Sequence, residues 1–140
     1  MIKEDYISFE TAKLLKEKGF DEPTGFIYSE NGELMKLSDF GVRYLSNSEC
    51  DDYPQWQFPF EGVASIVSAP TLQMAMKWLR EVHSIDISID IRFWTDDEGV
   101  DVKSWRYTVY RTDEIEDFGQ SDTYEDACEE AIKYCLENLV

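Results

Sequence analysis

The sequence predicts a single α+β domain over residues 1–140, with helices packed on antiparallel strands. Three observations carry this prediction. Three segments place apolar residues at helical spacing, two segments show the turns and the alternation of antiparallel hairpins, and 140 residues are enough to bury one hydrophobic core. In chain order the predicted elements are helix, hairpin, irregular segment, helix, hairpin and helix.

The first helix is predicted over the stretch FETAKLLKEK. Ser8 precedes this stretch, and a serine hydroxyl at that position accepts a hydrogen bond from the first helical turn. Gly19 follows it, in the place where a residue with a left-handed conformation ends many helices. We therefore expect the helix to begin after Ser8 and to end before Gly19.

The first hairpin is predicted in the stretch FIYSENGELMKL. Asn31 and Gly32 suit a two-residue type I′ turn, because both residues tolerate a positive φ. The length of a turn fixes the register of its strands, and a two-residue turn here pairs Phe26 with Leu37.

Residues 38–65 are predicted to be irregular or variable, since two prolines interrupt the stretch YPQWQFPFEG. Trp56, Phe58 and Phe60 are a candidate surface for a protein partner, because clustered exposed aromatic residues often anchor protein contacts. The alternative is that these rings cover one side of the following helix. The stretch VASIV at 63–67 could form a short buried strand.

The second helix is predicted in APTLQMAMKWLREVH, residues 69–83, which is apolar over most of its circumference. The apolar residues from Leu72 to Val82 cover about 200°, twice the usual apolar stripe. We therefore expect this helix to be covered on two sides and to be the most buried helix of the fold. His83, the only histidine, closes the helix, where packing or the helix dipole explains it better than catalysis.

The second hairpin has the cleanest alternation of the chain. Isoleucines occupy every second position of SIDISIDIRFW, and KSWRYTVYR returns with a matching set of apolar residues, so one face of the hairpin should cover the core.

The opposite, outer face of this hairpin is a second candidate surface. Aromatic and guanidinium groups together could stack a planar ligand, whereas Asp86 and Asp90 could instead form ion pairs with the arginines across the strands. The candidate residues of this surface are Arg92, Trp94, Arg106 and Tyr110.

The last helix is predicted in YEDACEEAIKYCLENLV, with Thr123 as its capping residue and an apolar stripe that includes both Cys128 and Cys135. Its polar side carries a row of carboxylates. This candidate acidic surface consists of Glu125, Asp126, Glu129 and Glu130.

The formal net charge is −17, and residues 96–140 alone hold 14 Asp and Glu against four Lys and Arg. Such a balance disfavours direct binding of nucleic acid or of an anionic membrane, since phosphate groups are neutralised by Lys and Arg. The same acidity is compatible with a protein that imitates DNA and occupies the basic cleft of a DNA-binding protein.

The sequence offers no metal, cofactor or catalytic motif. One histidine and three scattered cysteines do not make a zinc site, and DDEGVD at 96–101 lacks the order and the distal glutamate of a calcium loop. No glycine-rich phosphate loop or nucleophile motif is present. We therefore expect no cofactor and no enzymatic activity. Three sparse cysteines and the absence of a signal peptide favour a reducing, cytoplasmic location.

Three stretches, SFETAKLLKEKGFDEP, APTLQMAMKWLREVH and TYEDACEEAIKYCLENLV, resemble a family of small uncharacterised proteins from phages, prophages and mobile elements of anaerobic gut bacteria. The resemblance covers about a third of the chain and leaves out residues 38–65. It implies a phage-related genomic setting, and it implies no catalytic residues because the family has no assigned activity.

Together these observations favour a small non-enzymatic accessory protein of a phage or mobile element that acts by protein contact. An acidic, DNA-mimicking inhibitor of a host DNA-binding protein is the alternative, and an enzyme of unknown type is third. The expected partner is an unidentified protein or, in a homodimer, a second copy of the chain.

Overall fold

The computed structural model describes residues 2–52 and 66–140. Within them the chain forms four α-helices and two three-stranded antiparallel sheets, so the predicted α+β class is confirmed. The chain divides into two compact units, Met1–Thr71 and Leu72–Val140. The expectation of one domain over the whole chain stays a prediction.

The first unit begins with α1, Phe9–Glu17, whose two ends are those predicted. The Ser8 side chain accepts a hydrogen bond from the Thr11 amide. Gly19 has a φ of 94°, and the Phe20 amide donates to the Leu15 carbonyl at 2.9 Å. This arrangement satisfies carbonyls of the last turn and folds Phe20 back onto the helix.

The first hairpin consists of β1, Phe26–Tyr28, and β2, Leu34–Lys36, but its predicted register is wrong by one residue. Phe26 lies opposite Lys36 rather than Leu37. The Ser29 amide donates to the Glu33 carbonyl, which leaves a three-residue loop whose last member, Gly32, has a φ of 81°. A type I turn followed by a left-handed glycine is the usual form of such a loop.

The segment that was expected to be irregular is partly helical. A 3-10 helix spans Leu37–Phe40, and α2 spans Asn47–Asp52. The short strand β3, Val67–Ser68, pairs with β1 and contains the last residue of VASIV. Residues 53–65 of the segment lie outside the described part of the chain.

Asn47 holds the elements of the first unit together. Its side-chain amide is buried, donates to the Phe20 carbonyl at 2.7 Å and accepts from the Ser68 amide at 2.9 Å. One side chain thus ties the end of α1 and β3 to the start of α2 through two backbone groups. Ser46 and Glu49 cap α2 reciprocally through each other's backbone amides.

The second unit has the order helix, three strands, helix. Its elements are α3 (Leu72–His83), β4 (Ile85–Thr95), β5 (Asp101–Arg111), β6 (Glu114–Ser121) and α4 (Tyr124–Asn138). The strands form one antiparallel sheet with β5 in the centre. The strand β6 was not predicted.

Strand β4 pairs with β5 in the predicted alternation, with Ile91 opposite Trp105. The Trp105 ring contacts the ring of Tyr124 in α4, with 5.4 Å between centroids. The side of the sheet that carries the odd-numbered residues of β4 and β5 is therefore the inner face, covered by helices. The outer face carries the even-numbered residues.

The predicted burial of α3 is only partly correct. Five of its residues are buried, including Trp78, but Met74 is half-buried and Val82, in the last turn, is exposed. The six buried residues of α4 have no exposed area at all. The buried residues of α4 are thus more completely enclosed than those of α3, although a similar fraction of each helix is buried.

Gly119 of β6 lies opposite Tyr107 of β5 on the inner face. The Tyr107 ring covers the glycine, and its hydroxyl donates to Asp117 Oδ2 at 2.8 Å. A Cβ atom at Gly119 would overlap Cε2 of this ring. The absence of a side chain at Gly119 is therefore what lets Tyr107 lie flat on the sheet.

We expect Gly119→Ala to lower the free energy of unfolding by about 1–3 kcal/mol, because the added methyl displaces a buried ring. Urea unfolding measures this change. In a Tyr107→Ala background the same substitution should cost less than about 0.5 kcal/mol, since no ring is left to displace. Equal costs in both backgrounds would contradict the contact.

The turn between β5 and β6 is Thr112–Asp113, because Arg111 lies opposite Glu114. Thr112 has a φ of 59°, in the left-handed region that β-branched residues rarely adopt.

Thr112→Gly should therefore raise the free energy of unfolding by up to about 1 kcal/mol, as removal of the left-handed strain outweighs the entropy cost of glycine. Thermal unfolding tests this expectation. Thr95→Gly, within β4, is the control and should destabilise the protein. If Thr112→Gly destabilised it equally, Thr112 would not be strained.

Candidate interaction surface

The outer face of the β4–β6 sheet carries all four residues that the sequence assigned to it. Their cross-strand positions show how far apart they lie: Trp94 is opposite Val102, whereas Tyr110 is opposite Asp86. These two rows are eight residues apart along the strand, or roughly 27 Å. One planar ligand cannot stack on both rings, so the predicted stacking site is not formed as a single site.

The two arginines of this face are neighbours. Arg92 lies opposite Ser104, and Arg106 lies two residues further along β5, opposite Asp90. Side chains at such diagonal positions are within reach of each other. The structure therefore places two positive charges side by side on one face of the sheet.

The predicted ion pairs across these strands are not formed. Within residues 2–52 and 66–140, neither Arg92 nor Arg106 has a carboxylate oxygen within 4.0 Å. Asp90 instead accepts a hydrogen bond from the Ser88 hydroxyl at 3.3 Å. The prediction failed because the pairing of a ladder fixes the positions of the backbones and not of the side-chain ends, and an exposed side chain such as that of Arg92 gains little from being held in one geometry.

Two polar atoms of the outer face are buried without a hydrogen-bond partner, namely Ser104 Oγ and Arg106 Nε. Burying a donor without an acceptor costs about 1–3 kcal/mol.

Large apolar side chains are also exposed on the outer face. Trp94 is 43% exposed, and Phe118 on β6, opposite Thr108, is 70% exposed. Ile115, opposite Tyr110, is exposed as well. Sequence reasoning missed Phe118 and Ile115 because it did not recognise β6. The sequence EIEDFGQ gives no alternation signal, because the extra residue Glu116 places Ile115 and Phe118 three positions apart although both lie on the outer face.

The free end of the β4–β5 hairpin exposes a second apolar area, on the inner face beyond the helices. Ile91 is 39% exposed and Phe93 is 71% exposed, although the alternation predicted that both face the core. A depression of about 530 Å³ lies at this end, lined by Phe93, Trp94, Thr95, Asp101, Val102 and Lys103.

The acidic candidates lie in the first two turns of α4. Glu125 and Asp126 occupy the first turn, where carboxylates favour the positive end of the helix. Glu130 accepts from the Ser121 hydroxyl at 3.1 Å, and Glu129 is half-buried. The four residues therefore do not form a uniform exposed row.

The acidic turn at 96–101 is closed by its own first residue. Asp96 Oδ1 accepts from the amides of Glu98 and Val100, each at 2.9 Å. Among the residues that the structure describes, no group of three or more His, Cys, Asp or Glu is placed to hold a metal ion. The Asp96 carboxylate thus stabilises the backbone of the 96–101 turn.

His83 is the last residue of α3, and its ring contacts the Trp78 ring with 4.7 Å between centroids. The aromatic candidates Trp56, Phe58 and Phe60 lie outside the described residues. No helix in the described part of the chain is long and apolar enough to span a membrane.

No known family model matches this chain, and no curated protein or solved structure is similar to it.

The three cysteines are free and buried. Burial raises the pKa of the Cys50 thiol to about 12, and burial likewise raises the pKa of the Cys135 thiol to about 12. Neither thiol forms an appreciable amount of thiolate at neutral pH, and the thiolate is the reactive species.

We expect a chromogenic thiol reagent to label no cysteine of the folded protein at pH 8, and to label three after unfolding in urea. The folded-state pKa values of Cys50 and Cys135 exceed the ordinary value of 9.0. Burial of the two neutral thiols therefore contributes fully to the free energy of unfolding below pH 9, and this contribution is lost as the pH rises toward 12. Rapid labelling of the folded protein would contradict the burial.

Proposed function

We propose that this protein is a non-enzymatic accessory protein of a phage or mobile element, and that it acts by binding another protein through the outer face of the β4–β6 sheet. The observation that carries the proposal is the exposure of Trp94 and Phe118 on a face that no helix of the second unit covers. Phe118 and the exposed Ile115 lie in adjacent rows of this face, beside Tyr110, and a contiguous exposed apolar area marks an interaction site more often than isolated apolar residues do.

The composition of the outer face supports a protein partner in particular. The residues that dominate the binding energy of protein interfaces are Trp, Tyr and Arg, while Asp and Glu are depleted there. The outer face carries Trp94 close to the two arginines, and Tyr110 in a distant row beside Ile115, with Asp86 and Asp90 on the same face of a protein that has 30 acidic residues. This face therefore has the chemistry of an interface on an otherwise acidic surface.

The unpaired state of the arginines supports the same surface. Because Arg92 and Arg106 have no carboxylate within reach in the described residues, a partner can engage them without first breaking an ion pair. Arginines that meet a partner's acceptors at the edge of an aromatic contact give orientation as well as affinity. The phage or mobile-element setting rests on the resemblance of three stretches of the sequence.

The alternative proposal is an acidic inhibitor that imitates DNA. It draws on the net charge of −17 and on the carboxylates of α4. Such an inhibitor would depend on many weak charge contacts, which salt screens within about 8 Å at physiological ionic strength. A contact through Trp94 and Phe118 would depend on apolar burial, which salt does not screen.

We expect a partner protein recovered from a bacterial extract to lose affinity by about 30-fold or more for Phe118→Ser, as is typical of a central aromatic anchor, and to lose affinity to a smaller extent for Trp94→Ala, because Trp94 lies six residues further along the sheet. Titration calorimetry with the purified partner measures the change. Tyr44→Ala is the matched control, since Tyr44 is an exposed aromatic residue of the first unit, and this variant should bind like the wild type.

Two results would contradict the proposal. One is unchanged affinity of both outer-face variants. The other is a steep loss of affinity with salt, together with loss of binding when Glu125, Asp126, Glu129 and Glu130 are neutralised, and this result would support the acidic inhibitor instead.

A further inference from the structure

Strand β4 has one unpaired edge. Within residues 2–52 and 66–140 it forms a ladder with β5 alone. The Asp96 amide donates to the Val100 carbonyl at 2.9 Å, so the even-numbered positions make the hydrogen-bonded pairs with β5. The amides and carbonyls of the odd-numbered residues, from Ile85 to Thr95, therefore point away from β5, toward the free edge.

The charges at the middle of this edge complement those at the middle of a second copy of the edge. Asp90 and Arg92 flank Ile91 on both sides. If a second β4 pairs antiparallel to the first about Ile91, Asp90 of each copy lies opposite Arg92 of the other. These are non-hydrogen-bonded positions, at which facing side chains come closest. One symmetric contact thus creates two pairs of opposite charge.

The apolar residues of the inner face match in the same register. Ile91 lies opposite Ile91 of the second copy, and Phe93 lies opposite Ile89 of the second copy. Phe93 and Ile91 are among the most exposed apolar residues of the hairpin in one copy. Pairing would cover these side chains with apolar neighbours from the other copy and remove apolar surface from water.

We infer that β4 pairs with β4 of a second copy of this chain, centred on Ile91, and joins two three-stranded sheets into one six-stranded antiparallel sheet. The contact is isologous, since each copy contributes the same strand. It satisfies the outward backbone groups of an edge strand, gives Arg92 a carboxylate partner and covers Phe93.

Other registers fit less well. A shift of the centre by one residue to Asp90 or to Arg92 places like charges opposite each other, which is unfavourable. A centre at Ile89 places Arg92 opposite Asp86 but leaves Phe93 opposite Ile85, which is 1% exposed and already packed. Among these registers, only the one about Ile91 places Asp90 opposite Arg92. It also places the exposed Ile91 and Phe93 opposite isoleucines that are exposed or half-buried.

This inference does not depend on the proposed function. Edge pairing engages Asp90 and Arg92 but leaves Trp94, Arg106 and Phe118 of the outer face open, and the oligomeric state can be measured without any partner protein. If the protein is monomeric, the outer face can still bind a partner protein. If the outer-face variants bind the partner like the wild type, the dimer can still form.

Charge exchange tests the register. Sedimentation equilibrium should show the wild type as a reversible dimer, and Asp90→Arg and Arg92→Asp should each raise the dimer dissociation constant at least tenfold, because each places like charges opposite each other twice. The double variant Asp90→Arg/Arg92→Asp restores opposite charges and should return to within about threefold of the wild type.

Asp86→Arg is the control for the competing register. In the register about Ile91, Asp86 faces Asp96 of the second copy, so this variant should leave the dissociation constant unchanged or lower it, whereas in the competing register it would place two arginines opposite each other and raise it. Thermal unfolding, recorded for each variant, verifies that it is folded. A monomeric wild type at all concentrations would overturn the proposal. A double variant as weak as the single variants, or a dimer disrupted by Asp86→Arg, would also overturn it.

Discussion

The extent of burial in the second unit depends on a difference in length between its strands and its helices. Strands of 11 residues, such as β4 and β5, extend about 37 Å. The helices that cover them have 12 and 15 residues and extend only about 18 and 22 Å. The helices therefore protect one half of the hairpin, and the other half projects beyond them.

The burial of β4 follows directly from this difference. Ile85 is packed under the helices, the next isoleucines are half-buried, and exposure rises toward Phe93 near the turn. The same projection leaves an edge strand and the outer face accessible at one end of the unit. The surfaces that can contact other molecules are thus exposed because the strands of the hairpin are longer than the helices that cover them.

Sequence patterns predicted the fold class, the ends of α1 and the faces of the β4–β5 hairpin. They could not predict how far burial extends along β4, because a period of two identifies which residues share a face and not where the covering helix ends. The strand β6 was missed because its turn, Thr112–Asp113, contains neither glycine nor asparagine. The register of the first hairpin was missed because Asn31 and Gly32 also fit a three-residue loop.

The candidate surface was predicted as a set of residues on one face, and this much is confirmed. The alternation could not predict that the residues of this surface lie far apart along the strands. Trp94 and Tyr110, for example, share a face but lie in distant rows. The helix α2 carried a recognisable signal that sequence reasoning did not use: Ser46 and Glu49 have the spacing of a reciprocal cap. Because two prolines follow α2 closely, the whole segment was predicted to be irregular.

The two edges of the second sheet are built differently. Strand β6 contains an extra residue at Glu116, which bends the ladder and is held by Arg111 and by the hydroxyl of Tyr134. A bulged and strongly acidic edge is a poor template for another strand, because its backbone groups are out of line and its charges repel their like. Growth of the sheet is thereby confined to the β4 side. An assembly that can extend at one edge only closes on itself and does not propagate into a filament, so the irregularity of β6 protects a hairpin rich in isoleucine and aromatic residues from aggregation.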